Sequence, residues 1–65
     1  MSMINVKKGD FVLYYVKTAG SRDQKEGTVD RVYRPLFGKR MVVVQPKDSA
    51  IVDIVPNGQI TGKVI

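Results

Sequence analysis

Apolar residues in this chain come in short blocks, and turn-forming polar residues separate them. The first block, FVLYYV, covers Phe11 to Val16 and is preceded by the turn Lys7-Lys8-Gly9-Asp10. In that turn Gly9 accepts a positive φ, and the Asp10 side chain bonds nearby backbone. Side chains alternate along a strand, so Phe11, Leu13 and Tyr15 share one face and Val12, Tyr14 and Val16 the other. Lys17 to Glu26 is polar and aperiodic and reads as a loop. Gly27 to Tyr33 is a second strand, with Gly27 marking a bulge or a close backbone approach. Arg34 to Gly38 forms a loop stiffened by Pro35, and Lys39 to Gln45 forms a third strand around Val42-Val43-Val44. Pro46 to Ser49 is a turn, and Ala50 to Val55 a fourth strand whose solvent face carries Asp53. Pro56-Asn57-Gly58 is a turn or a single helical turn, and Gln59 to Ile65 is the last strand. Met3, Ile4 and Val6 add an edge strand or plug one end of the fold.

β-branched residues dominate, and no segment repeats at the helical period. The expectation is an all-β fold, a single small barrel of about five antiparallel strands occupying residues 1–65 as one domain. Its predicted core is Val12, Tyr14, Val29, Val32, Val42, Val44, Ile51, Ile54, Ile60 and Val64. A chain this small derives only about 3–5 kcal/mol from one core, so oligomerisation would supplement it.

The strand order resembles an SH3-like barrel from about Val6 to Ile65. Its clearest part is similar to the KOW and Tudor-like branch: a Lys-Gly-Asp turn and strand (Lys8-Gly9-Asp10-Phe11-Val12), a loop, then Gly-x-Val-x-x-Val (Gly27-Thr28-Val29-Asp30-Arg31-Val32). That resemblance implies a binding module for RNA, DNA, protein or modified side chains. The Gly-Asp turn and the last half also resemble the small-barrel, trimethoprim-insensitive dihydrofolate reductases. Where that family carries Gln-Ile-Tyr before a proline, this chain has Asp53-Ile54-Val55 before Pro56. The amide and phenol are missing, so that activity does not carry over.

Composition narrows the chemistry. The 65 residues contain no cysteine and no histidine. Disulfides, thiolate metal sites and the commonest general base are therefore excluded. The six carboxylates have no spacing that forces a metal site or an acid–base pair, and the serines have no activating base. The expectation is a non-catalytic domain that uses no cofactor and no metal. The N-terminal MSMINVKK lacks the apolar stretch of a signal peptide, and no apolar run approaches the ~20 residues of a bilayer span. A cytoplasmic protein without a membrane partner is expected.

The charge is +5, from 11 basic and 6 acidic residues, which makes nucleic acid the first partner to consider. Arg31, Tyr33, Arg34, Phe37, Lys39 and Arg40 concentrate cations and rings around one hairpin tip. Cations there reach successive phosphates, and rings stack on bases. The competing expectation is that Leu36 and Phe37 fold back as a lid on the core while the cations remain solvated. Lys7, Lys8, Lys17, Arg22 and Lys25 form a second group, diluted by Asp10, Asp23 and Glu26 and read as a solvated loop. One of Tyr14 and Tyr15 belongs to the core. An aromatic cage would need the other together with Tyr33 and Phe37. The rival functional class is a protein-interaction module in which the terminal strand, with Val64 and Ile65, adds to a neighbour's sheet to give a homo-oligomer.

Overall fold

The computed structural model describes residues 4–64. Five strands form one antiparallel sheet: β1 (Phe11–Thr18), β2 (Ser21–Tyr33), β3 (Met41–Pro46), β4 (Asp53–Pro56) and β5 (Ile60–Val64). Their spatial order is β4-β3-β2-β1-β5. The sheet curls into a compact barrel-like body of 28 × 28 × 24 Å. A single 3-10 turn, Asn57–Gln59, links β4 to β5. No helix among the described residues is long and apolar enough to cross a membrane.

The Lys7–Asp10 turn forms as its residues dictate. Gly9 sits at φ +95°, and Asp10 Oδ2 accepts a hydrogen bond from the Lys7 amide at 2.9 Å. The Gly9 amide donates to the Val29 carbonyl and the Val29 amide to the Asp10 carbonyl, which ties the turn to β2. Gly27 is buried where β2 crosses β3, and a Cβ there would lie 2.9 Å from the Pro46 Cα. The close approach expected at this glycine is present.

Val12, Tyr14, Val29, Val42, Val44 and Ile60 are buried in the core, as the alternation predicts, and Val32 packs against it. Val6 is buried and Ile4 packs against the core, so the lead-in closes one end; Met3 lies outside the described residues, as does Ile65.

Three expectations are corrected. Lys17 to Glu26 is not a loop: β1 and β2 remain paired out to Thr18↔Ser21, and only Ala19 and Gly20 make the turn. Both have positive φ, +39° and +87°, the conformation of a two-residue turn whose twist matches its strands. The arms are held by backbone bonds, so their polarity left no apolar signature to read. The fourth strand spans Asp53–Pro56 rather than Ala50 to Val55. Ile51, which precedes the strand, and Val64, on β5, are exposed rather than in the core. The phase of β4 is also opposite to the expected one: Val55 faces Val42 in the core, whereas Ile54 is exposed. A shift of one residue exchanges every side chain between faces. Finally, Asp53 does not mark the solvent side. It lies on the inner face, directly opposite Val44 of β3.

Candidate nucleic-acid interface

Turning Asp53 inward draws a charged cluster against the core. Tyr14 Oη, on the fully buried Tyr14, donates to Asp53 Oδ2 at 2.7 Å. Lys25 Nζ donates to the same oxygen at 3.1 Å. Tyr14 and Lys25 are cross-strand partners in β1 and β2, and Asp53 arrives from β4. Burial, then the hydrogen bond to Asp53 and its negative charge, hold the Tyr14 phenol well above its ordinary value of 10.0. The cluster joins three strands and offers no solvent-facing ring. Tyr14 is thereby removed from any aromatic cage.

The β2–β3 loop is the opposite case. Leu36 and Phe37 are 91% and 87% exposed, so they do not form a lid on the core. Arg34 and Lys39 are exposed and make no ion pair among the described residues. Gly38, at φ +123°, lets the chain turn back into β3. At the loop's entry Arg31 and Tyr33 share the outer face of β2, as their spacing predicts. The Arg31 guanidinium lies 5.4 Å from the centre of the Tyr33 ring, within cation–π range.

Arg40 behaves differently from its neighbours. It is half-buried, and its guanidinium donates to the Val6 carbonyl at 2.8 Å and towards Asn5 Oδ1 at 3.4 Å. It clamps the N-terminal lead-in to the start of β3. Five of the six residues singled out by sequence, Arg31, Tyr33, Arg34, Phe37 and Lys39, thus lie at the outer loop end, and Arg40 is bound inward.

The second basic group divides in the same way. Lys25 is held by Asp53, whereas Arg22 and Lys17 are exposed cross-strand partners. The Arg22 guanidinium lies 5.0 Å from the centre of the Tyr15 ring. Reading residues 17–26 as a loop hid this stack, because only a paired register brings positions 15 and 22 together. The available signal was Ala19-Gly20 flanked by Thr18 and Ser21, a two-residue turn between polar arms. An open groove of about 480 Å³ runs over Leu13, Gln24 and Glu26 toward Lys47, which pairs with Glu26 at 3.5 Å.

Comparison of the chain with protein-family models, curated proteins and solved structures finds no match.

Proposed function

We propose that this domain is a non-catalytic nucleic-acid-binding module that engages its ligand through the β2–β3 loop. The observation that carries the reading is the exposure of Phe37 and Leu36 between Arg34 and Lys39, cations that form no ion pair among the described residues. Exposed large apolar groups do not help a chain of this size to fold. Flanked by cations, they suit a ligand that combines phosphate charge with flat apolar bases. Arg31 and Tyr33 extend the same surface. The resemblance to SH3-like barrels, and to their KOW-like branch, supports a binding role over a catalytic one.

The test is charge reversal at the loop, Arg34→Glu with Lys39→Glu, read by fluorescence anisotropy with a labelled oligonucleotide at low salt. Arg40 is left intact because its guanidinium holds Val6. Wild-type affinity for a short probe that covers only the loop should fall with salt with a slope near −2, about 0.7 for each of three phosphate contacts to a single strand. The double variant should lose binding while its stability stays within about 0.5 kcal/mol. Unchanged binding in the variant, or no wild-type binding at low salt, would overturn the proposal.

A second reading, a self-associating assembly module, is favoured by a different observation. β4 and β5 are the sheet's two edges, and Ile51, Val52 and Ile54 are exposed at or beside β4. Edge strands with apolar neighbours invite pairing with another chain. A stable dimer or tetramer in sedimentation velocity that Ile54→Lys dissociates, with no oligonucleotide binding, would favour this reading over the first.

A further inference from the structure

The two arginine–tyrosine stacks sit near opposite ends of one strand, and a bulge decides how they face. Between Ser21 and Val29 side chains alternate regularly: Gly27 and Val29 point into the core, and Arg22, Gln24 and Thr28 point out. By simple parity Arg31 and Tyr33 would then point inward with Val29. They do not, because the register with β3 slips between Val29 and Arg31 and leaves Asp30 as the extra residue. Beyond the slip Val32 turns inward opposite Val42, and Arg31 and Tyr33 turn outward opposite Val43 and Met41. Bulges re-aim side chains, and they are over-represented at barrel rims and beside functional sites. Here it puts Arg22 and Arg31, each over a tyrosine ring, on the same outer face of β2.

We infer that the outer face of β2 is a continuous track for a single nucleic-acid strand, running from the β2–β3 loop to the Tyr15–Arg22 stack. The inference rests on the nucleic-acid reading proposed above and specifies its ligand. Nine residue steps separate the two arginines, about 30 Å of extended chain, and the body is 28 Å in its longest direction. An unstacked single strand is longer per nucleotide than the ~3.4 Å rise of a duplex strand, so that length accommodates about eight nucleotides at most. Lys17 adds a cation beside Arg22. The groove over Leu13 and Gln24 lies between the stacks. Three acidic residues lie along the path, Glu26, Asp30 and Asp48; Glu26 is paired with Lys47, Asp30 is exposed at the bulge, and Asp48 lines the groove. Rings at both ends favour a single strand, because a duplex hides the base faces on which they would stack.

The experiment compares oligothymidylates of about three and about twelve nucleotides, lengths below and above the site. Wild-type protein should bind the longer probe at least tenfold more tightly than the shorter, and more tightly than a duplex of equal length. Lys17→Glu with Arg22→Glu should bring the longer probe down to the affinity of the shorter and reduce its salt slope by about 1.4, two contacts of about 0.7 each. If that variant fails to fold, Lys17→Gln with Arg22→Gln should still lower the slope. Equal wild-type affinity for both lengths overturns the track. So does a longer-probe affinity that ignores Lys17 and Arg22 but is abolished by Arg34→Glu with Lys39→Glu, and in that outcome the loop reading stands alone. Duplex binding as tight as single-strand binding overturns the single-strand assignment. A wild-type protein that binds neither probe removes the track together with the proposed function.

Discussion

Two regions of this barrel use the same residue types to opposite ends. At the inner corner a phenol, an ammonium and a carboxylate from β1, β2 and β4 bond to one another, and the tyrosine ring is fully buried. At the β2–β3 loop, cations and a ring stand in solvent, and Arg34 and Lys39 have no ionic partner among the described residues. The corner's polar groups satisfy one another, so its chemistry is spent on holding strands together. The loop's cations have no such partner among the described residues. Residue type and local spacing do not separate the two cases. What separates them is whether a long-range partner is present, as Arg40 illustrates: it is adjacent to Lys39 in sequence yet bonded to Val6.

The largest loss of stability is expected at Asp53. Asp53→Ala strands the buried Tyr14 hydroxyl without an acceptor, which costs about 1–3 kcal/mol. Loss of the half-exposed Lys25 pair adds little, because exposed ion pairs contribute about 0–1 kcal/mol. The expected total is about 2 kcal/mol, a large part of a core of this size, read as a lowered urea midpoint. Lys39→Ala in the loop should leave the midpoint in place. Equal losses at the two positions would show that the corner is no more structural than the loop.

Tyr14 sharpens the contrast through pH. Its folded phenol is held above the unfolded value of 10.0 by burial and by Asp53. Below that value both states carry the proton and the corner contributes in full. Above it the unfolded chain binds fewer protons than the folded one, so stability falls as pH rises. Tyr14→Phe should cost about 1 kcal/mol at neutral pH and remove the part of the alkaline loss that belongs to this phenol. Melting curves of both proteins between neutral pH and about pH 11 measure the difference. Parallel alkaline losses would mean that the Tyr14–Asp53 contact does not set the phenol's behaviour.

How much of this was legible in the sequence follows from the range of the interactions. The Gly9–Asp10 turn, the close approach at Gly27 and the six core positions from Val12 to Ile60 follow from local rules and strand alternation. The IVDIV segment does not, because its alternation fits two phases equally well. Partners on β1 and β2 select the phase that buries Val55 and leaves Ile54 exposed. The polar β1–β2 arms lack an apolar pattern because their backbone ladder, not a buried face, holds them. The bulge at Asp30 did leave a trace. Val29 and Val32 both face the core three residues apart, a spacing that an unbroken strand does not allow. The loop cations were legible as a group, but the engagement of Arg40 depends on Val6, which lies 34 residues away.

The smallest effect on stability, and the most specific on binding, is expected at Phe37. Its ring is 87% exposed, so Phe37→Ala removes almost no buried area and should change the unfolding free energy by no more than about 0.5 kcal/mol. If the ring stacks on a base, the same change should weaken a single-stranded probe by about 1–3 kcal/mol. It should do so without altering the salt slope, because no charge is lost. That combination separates stacking from simple charge attraction, since replacing Arg34 or Lys39 must change the slope. Phe37→Leu, which keeps apolar area but loses the aromatic face, should bind nearly as weakly as the alanine variant. Full affinity in Phe37→Leu would reduce the ring to a nonspecific apolar contact, and full affinity in Phe37→Ala would leave the loop as a cluster of cations alone. A loss of stability well beyond 0.5 kcal/mol in either variant would place Phe37 with Tyr14 among the residues that the fold uses for itself.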